Sequence, residues 1–287
     1  MTYWNDLGLA PQDQLLEARL NIHKAMQWVT LAARANIEPW PDDGHSNLGW
    51  SHEHQMFTSH AFPQQNGKDL GIGLSPAKLE LSIWRDKIIE ERLSLHGKSH
   101  DEVGKWLDGQ LLSAGYKIAS DIKLSYALGE NLLAISTYTT ESIEQGLLEY
   151  EKWFAVSDEL LQEIAQDPEL TAFKPGPSQV RTWPHHIDTA TYIQLEDGDF
   201  EKARGIGVGM AAGDKNCPDP YFYCYPWPRP NPETLPDLKS AGCYWSKTGY
   251  VGTLMPRSQV LDCTDRKASV NEFLREVIKI SRDVLKV

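Results

Sequence analysis

Residues 49–59, GWSHEHQMFTS, resemble residues 182–191, TWPHHIDTAT, and this resemblance decides the predicted fold. Trp50 and Trp183 are separated by 133 residues, and the histidines two positions after them keep the same spacing. A match at one fixed spacing is the pattern that an internal duplication leaves in a sequence. The two stretches therefore indicate that the chain contains two related halves.

A second match supports the duplication. The Gly-Ile-Gly triplets at 71–73 and 205–207 are 134 residues apart. Apolar residues recur at helical spacing ahead of each block, over 13–35 and 143–164. A Ser-x-x-Glu capping box, beginning at Ser99 in the first half and at Ser269 in the second, predicts a further helix after each block.

Each half is therefore expected to contain a helix, several antiparallel strands and a second helix. The predicted fold class is α+β, with two pseudo-symmetric helix–antiparallel sheet–helix repeats sharing one core. The halves are residues 1–140 and 141–287, expected to form one compact domain. Residues 121–139 are expected to add a strand or two. The remaining predicted strands are 48–59, 70–75, 78–85, 88–95, 178–195, 204–210, 220–227, 242–246 and 249–261.

A proline-rich excursion interrupts the symmetry of the second half. Seven prolines lie between positions 218 and 236, which excludes a helix there. We expect an extended, solvent-facing segment that forms a pocket wall or an interaction surface.

Composition restricts the partners and the compartment. The formal net charge of −12 argues against a nucleic-acid backbone or an anionic membrane as partner, because both attract basic surfaces. The N-terminal residues lack the pattern of a signal peptide, and no apolar run is long enough to span a bilayer. The four cysteines form no CxxC pair. A cytoplasmic protein with thiol cysteines is expected.

Histidines and acids in the two matched blocks are the first candidates for chemistry. Alternate residues of a strand share a face, so His52 would lie beside His54, and His186 beside Asp188. Together these four residues could bind a divalent metal, zinc, iron or manganese. A general acid–base site is the alternative, formed by His186 with Asp188 or with Glu53. In the first pair His186 is the base and Asp188 its orienting partner, and His185, on the opposite face of the strand, is a further catalytic candidate. Structural histidines that bind backbone or water remain open for each position.

Aromatic residues of the second half are the candidates for ligand binding. Tyr221, Tyr223 and Tyr225 alternate along a predicted strand and can stack on a small ligand or form hydrogen bonds with it. Trp183 and Asp214 join them as predicted binding residues. The alternative is that the tyrosines cover the edge of the core. The glycine triplets do not match a phosphate-binding loop and instead predict strands on which bulky neighbours lie.

These motifs resemble a bacterial family classed as a domain of unknown function. The similar stretches include WPHHID at 183–188, PDPYFY at 218–223 and SAGCYW at 240–245, in order along the chain. The resemblance implies that these segments belong to a common architecture. It supplies no activity.

Three functions follow from the sequence. The first is small-molecule binding or catalysis in a His/Asp-lined pocket between the two halves, by proton transfer or metal-assisted hydrolysis if the protein is an enzyme. The second is a non-catalytic protein-interaction module that uses the excursion at 218–236. The third is metal binding without turnover.

Overall fold

The structure is a computed structural model that describes residues 3–65, 68–199, 202–215, 217–247 and 250–287. The chain divides into two compact units. Unit 1 comprises Met1–Leu7, Trp153–Arg181 and Asp188–Val287, and unit 2 comprises Gly8–Lys152 and Thr182–Ile187. Among the described residues, no helix has the length and apolar character needed to cross a membrane.

The helices and strands are named in chain order. The α-helices are α1 Gln12–Asn36, α2 His100–Ser113, α3 Glu130–Leu133, α4 Glu144–Ala165, α5 Pro168–Thr171, α6 Arg257–Asp262 and α7 Arg266–Leu285. Short 3-10 helices cover Tyr3–Asp6 and Gly44–Ser46. The strands are β1 Gly49–Ser51, β2 Met56–Thr58, β3 Phe62–Gln65, β4 Lys68–Ser75, β5 Glu80–Arg85, β6 Ile88–Ser94, β7 Gly176–Pro177, β8 Arg181–Trp183, β9 Asp188–Gln194, β10 Gly205–Ala211, β11 Tyr221–Trp227, β12 Tyr244–Ser246 and β13 Gly252–Pro256.

Unit 2 is built on an antiparallel sheet of order β1-β2-β4-β5-β6, with β3 also paired to β4. Helix α1 packs against β3 and β4 and buries an apolar stripe that includes Ile22, Met26 and Val29. Helix α2 begins with the predicted capping box: the Ser99 side chain accepts from the Glu102 N–H, and the Glu102 carboxylate accepts from the Ser99 N–H. The cap satisfies backbone donors that the first helical turn leaves unpaired.

Unit 1 contains a second antiparallel sheet, in the order β12-β13-β11-β10-β9-β7. Helix α7 packs against β10, β11 and β13. On this face of the sheet, Phe222 stacks against Trp4 and tilts against Trp153, with ring centroids 6.1 and 5.9 Å apart. The residues that alternate with Phe222 along β11 point to the opposite face, which is where the candidate site lies.

The α+β class and the antiparallel sheets are confirmed, with corrections to individual elements. The predicted strands 48–59 and 178–195 are each interrupted by a turn, at residues 52–55 and 184–187. Both turns end on a residue with positive φ, Gln55 at 51° and Ile187 at 52°, and this backbone geometry reverses the chain.

Other segments also differ from the prediction. Residues 121–139 contain the short helix α3 and an isolated bridge instead of strands. Of the predicted strand 249–261, residue 249 lies outside the described residues, and the part from 257 onward is helix α6. The Ser269 cap is wrong, because Asp265 accepts from the Ala268 N–H and begins α7 earlier. The predicted strand 220–227 inside the proline-rich stretch is confirmed as β11, and residues 228–236, which follow it, form no helix or strand.

Candidate functional site

The candidate site is the outer face of the unit 1 sheet, opposite α7. Strand alternation places Tyr221, Tyr223 and Tyr225 on this face, while Phe222 and Cys224 point to the core. The cross-strand partners of Tyr223 lie on the same face, because directly paired residues point the same way. These partners are Gly209 on β10 and Leu254 on β13.

Glycines in β10 allow the tyrosine rings to lie close against the sheet. A Cβ atom added at Gly207 would come within 2.3 Å of the Tyr225 ring, and one at Gly209 within 2.6 Å of the Tyr223 hydroxyl. A Cβ at Gly205 would meet the hydroxyl of Tyr192 at 2.2 Å. The alternation of glycine with Ile206 and Val208 therefore gives β10 one apolar face toward α7 and one bare face on which phenol rings rest.

Two aspartates hold the phenols in place. The Tyr223 hydroxyl donates to Asp188 Oδ2 at 2.5 Å, and the Tyr221 hydroxyl donates to Asp214 Oδ2 at 2.9 Å. Asp214 is itself held by the backbone, because its Oδ1 accepts from the Cys217 N–H at 2.9 Å. Two phenol–carboxylate pairs therefore lie at one end of the tyrosine row.

The electrostatic environment keeps the phenols protonated. Burial, and then the nearby Asp188 carboxylate, raises the pKa of Tyr223 well above its usual value. Burial raises the pKa of Tyr225 to about 12, with Asp188 acting in the same direction. Burial followed by Tyr250 and Asp214 raises the pKa of Tyr221. The phenols are therefore neutral hydrogen-bond donors across the physiological pH range.

The tyrosine row continues toward solvent. The Tyr223 and Tyr225 rings stack with centroids 6.1 Å apart, and the Tyr250 ring stands perpendicular to Tyr225 at 6.4 Å. Tyr221 and Tyr223 are buried, whereas Tyr225 and Tyr250 are half-buried and Tyr244 is 45% exposed. The row thus leads from the buried, carboxylate-bound Tyr221 and Tyr223 to the half-buried Tyr225, and Tyr250 borders both Tyr225 and Tyr221. We call the set Asp188, Asp214, Tyr221, Tyr223, Tyr225 and Tyr250 the phenol–carboxylate face.

The predicted histidines lie elsewhere, on a turn of unit 2. His185 and His186 are exposed residues, and their ring centroids are 4.1 Å apart. The His185 ring also lies near Trp183 and Tyr126, at 6.0 and 5.6 Å. Desolvation by this packing lowers the pKa of His185 to about 4, and His186 acts in the same direction.

This turn is anchored on α1 of the same unit. The carbonyl of Pro184 accepts from His23 Nε2–H at 2.8 Å and from Gln27 Nε2 at 3.0 Å. Burial lowers the pKa of His23 to about 4 and keeps it neutral. His23 therefore has a structural role that the sequence pattern did not reveal.

The predicted metal set is not brought together. His52 and His54 lie in the turn at 52–55, and no shared strand face pairs them as predicted. Within the described part of the chain, no group of three or more His, Cys, Asp and Glu side chains is arranged to hold a metal ion. The predicted zinc, iron or manganese site of His52, His54, His186 and Asp188 therefore receives no support from the geometry.

The sequence pattern did not predict Tyr250, a member of the phenol–carboxylate face, or Tyr192, whose ring lies over Gly205 on the same sheet. Tyr192 lies four residues after Asp188 on β9, so alternation along that strand is a signal that could have found it. Tyr250 lies in a loop, and no pattern in the sequence brings it to the site. Trp183, predicted to bind a ligand with the tyrosines, lies in unit 2 beside His185.

A separate groove of about 410 Å³ in unit 1 lies between α5 and α7. Its walls carry ion pairs, including Arg275 with Asp167 at 2.6 Å and Arg282 with Glu169 at 3.5 Å. Because these opposite charges already pair with each other, neither positive nor negative charge dominates the walls of the groove. It is a weaker candidate than the phenol–carboxylate face.

Comparison with known proteins adds no family and no relative. The chain matches no protein-family model, and neither a curated protein nor a solved structure shows significant similarity to it.

Proposed function

We propose that this protein binds a small molecule at the phenol–carboxylate face of unit 1. The observation that carries the proposal is the pair of carboxylates, Asp188 and Asp214, each bound by a largely buried phenol at the end of an aromatic row. Polar groups cost free energy when they leave water, and apolar side chains would cover a sheet more stably. Departures from a well-packed apolar face are expected where a surface is used for binding.

The open end of the row is where a ligand would lie. Tyr225 and Tyr250 are half-buried and perpendicular to each other, so they present one ring face and one ring edge at the same place. Rings in this arrangement bury ligand surface with little loss of side-chain entropy, because each phenol is already held by packing. The buried pairs at the other end fix the position of the row.

A fragment screen tests this function. Ligand-observed NMR with a library of small polar fragments is expected to give hits that disappear in Tyr225→Leu, which keeps an apolar cover over Gly207 but removes the ring. Trp40→Leu is the matched control, since Trp40 is an exposed aromatic residue of unit 2, 46% exposed. Circular dichroism verifies the fold of both variants. If every hit survives Tyr225→Leu, the site is not this face.

We also infer that the two units descend from one duplicated helix–sheet–helix element. The positive-φ turn residues Gln55 and Ile187 are 132 positions apart, and so are Thr58 and Ala190, which follow on the next strands. These strand residues pair with glycines that are 136 positions apart, Gly73 on β4 and Gly209 on β10. The sheet registers therefore support a duplication with slightly different spacings from those in the sequence match.

The revised register also matches the aromatic packing. Gly71 pairs with Trp84 and Gly207 pairs with Tyr225, and in both sheets the partner's ring lies over the glycine. An added Cβ would approach these rings to 2.1 and 2.3 Å. We expect Gly71→Ala and Gly207→Ala to lower the melting temperature by similar amounts. A large penalty at only one of them would argue against equivalent positions.

For the compartment, we propose the cytoplasm. The four cysteines, all among the described residues, are thiols and none is joined in a disulfide. Thiols are the expected state in a reducing compartment. Fractionation of the native host with an antibody against the protein tests the proposal, and recovery from a secreted fraction would contradict it.

A further inference from the structure

We propose that residues 129–139, which we call the strap, open from unit 2 while the rest of the unit stays folded. The neutral ring of His100 keeps the strap closed, and opening exposes the amine of Lys24. This motion belongs to unit 2 and is separate from the ligand site proposed in unit 1.

The strap buries little apolar surface. Within residues 129–139, all of which the structure describes, only Leu132 and Tyr138 are buried, and Leu133 is 63% exposed. Helix α1, which contacts the strap, buries a continuous apolar stripe. Segments with few buried apolar contacts open locally at a lower free energy than the core. The strap is therefore expected to open more often than the helices against which it lies.

Backbone hydrogen bonds attach one end of the strap to the segment that begins α2. The Tyr138 N–H donates to the Lys98 carbonyl at 2.9 Å, and the Gly97 N–H donates to the Tyr138 carbonyl at 2.9 Å. The His100 N–H donates to the Ser136 carbonyl at 3.3 Å. These bonds break together when the strap leaves, so the amide protons of Gly97 and Tyr138 report its opening.

Helix α1 holds the other end of the strap. The Lys24 ammonium donates to the carbonyl oxygens of Leu132, at 2.9 Å, and of Ile135, at the C-terminal end of α3. Lys24 is only 6% exposed, and a buried ammonium group is costly unless it is hydrogen-bonded. The strap therefore supplies the acceptors that Lys24 needs, and the amine gains access to water when the strap opens.

The His100 ring joins the strap to both helices. Its Nδ1 accepts from the Tyr138 hydroxyl at 2.8 Å and from Trp28 Nε1–H at 3.1 Å. Because an indole N–H only donates, Nδ1 must carry a lone pair, which it has only in the neutral ring. Protonation removes this acceptor. It also places a second positive charge near the Lys24 ammonium of α1, which Asp101 on α2 offsets only in part.

Acid therefore favours the open strap. Burial, and then Lys24, lowers the pKa of His100 to about 4 while the strap is closed, whereas an exposed imidazole has a pKa near 6.5. The open form binds the proton more tightly, so the preference for the closed form is complete above pH 6.5 and falls as the pH drops. Between pH 7.5 and pH 5, these two pKa values raise the opening constant roughly 30-fold.

Amide hydrogen exchange on the full chain measures this opening. After division by the intrinsic exchange rates, the Gly97 and Tyr138 amides are expected to exchange roughly 30-fold faster at pH 5 than at pH 7.5. The amide of Val29, in the middle of α1, is the reference within unit 2 and should exchange much more slowly at both pH values. If Val29 exchanges as fast as the strap amides, the strap opens only when unit 2 unfolds, and the proposal is overturned.

Replacement of His100 separates its role from other effects of acid. In His100→Asn, an amide oxygen replaces Nδ1 as the acceptor and does not titrate. Exchange at Gly97 and Tyr138 should lose its pH dependence and stay within a few-fold of the wild-type value at pH 7.5. Circular dichroism verifies the fold, and His100→Gln repeats the test if His100→Asn fails to fold. A response to pH that persists unchanged would overturn the role of His100.

Replacement of Lys24 tests the other attachment at a single pH. Lys24→Met keeps most of the chain length and removes both hydrogen bonds to the strap, so the Gly97 amide should exchange at least tenfold faster at pH 7.5. Lys105→Met, at an exposed position of α2, is the matched control and should leave exchange unchanged. Tyr138→Phe, which removes only the hydroxyl, replaces Lys24→Met if that variant fails to fold. Wild-type exchange at Gly97 in the folded variant would overturn the proposal.

Discussion

Replacement of Gly209 by alanine tests whether the glycines of β10 exist to seat the phenols. Gly209 lies in the sheet between Ala190 on β9 and Tyr223 on β11. An added methyl group would lie 2.6 Å from the carbonyl oxygen of Thr189 and 2.6 Å from the Tyr223 hydroxyl. Both distances are shorter than van der Waals contact, and the first involves a backbone atom that cannot rotate away. Strand β9 and the Tyr223 ring must therefore both move.

The magnitude follows from three contributions. Forcing an extra methyl group into a packed site costs about 1–3 kcal/mol. Displacing Tyr223 breaks its hydrogen bond to Asp188, and a hydrogen bond to a charged group contributes about 1.5–3 kcal/mol. Alanine recovers about 0.5–1 kcal/mol, because glycine is unfavourable inside a strand. The net expected loss is about 3 kcal/mol in the free energy of unfolding.

Thermal unfolding followed by circular dichroism measures this loss. For a unit of this size, about 3 kcal/mol corresponds to a fall of roughly 6–12 °C in Tm. The control is Gly109→Ala on the exposed side of α2, where an added methyl group meets no atom within 4 Å. It should stabilise the protein slightly, because alanine favours helix. A Gly209→Ala protein that melts within 1 °C of the wild type would refute the argument that Tyr223 needs a bare strand beneath it.

The remaining predictions concern unit 2. Ser99→Ala removes the capping box with Glu102 and should lower the free energy of unfolding by about 1 kcal/mol in a denaturation experiment. Ser99→Asp should restore most of this loss. An unchanged denaturation midpoint for Ser99→Ala would contradict the cap. Glu149 is 1% exposed and accepts hydrogen bonds from the backbone N–H groups of residues 8 and 9. Glu149→Ala should therefore lower the free energy of unfolding by about 2–3 kcal/mol. A loss below about 0.5 kcal/mol would contradict this structural role. Burial lowers the pKa of His100 to about 4, and its Nδ1 accepts from the Tyr138 hydroxyl. The unfolded chain binds this proton near pH 6.5, and the folded chain binds it only near pH 4. The contribution of neutral His100 to the free energy of unfolding is therefore complete above pH 6.5 and falls as the pH drops toward 4. An NMR titration of the His100 ring that gives a pKa near 6.5 would exclude this contribution.

The sequence was sufficient for the elements whose signals are local. Helix α1 was predicted at 13–35 and spans Gln12–Asn36, because one continuous apolar stripe defines it. The Ser99 cap was also correct. The Ser269 cap was wrong because Asp265, four residues earlier, caps the same helix equally well in chemical terms. Where two acceptable caps are close together, tertiary packing decides between them, and a local pattern cannot.

The histidine turns show a different limit. Alternation assumes that a strand is continuous, and the positive φ of Gln55 and Ile187 breaks both strands where the histidines lie. Neither residue type is typical of that backbone region, and a β-branched residue such as isoleucine is rare there. The sequence therefore contained no signal for either turn. The predicted sharing of a face by His52 and His54 failed for this reason.

The tyrosines were predicted more successfully than the histidines because their alternation is measured along one uninterrupted strand. Tyr221, Tyr223 and Tyr225 share a face as expected. Asp214 joins them from the segment before β11, and Asp188 joins them from β9, on the far side of β10. What the sequence could not supply is the pairing of particular phenols with particular acids, since these partners are 7 and 35 residues apart.

Those pairings determine which chemistry the face can perform. Phenols beside cationic groups can become phenolates and act as bases, but here burial and the carboxylates raise the pKa of Tyr221, Tyr223 and Tyr225. A proton would leave these hydroxyls only with difficulty. Proton abstraction by these phenols is therefore disfavoured by burial and by the positions of Asp188 and Asp214.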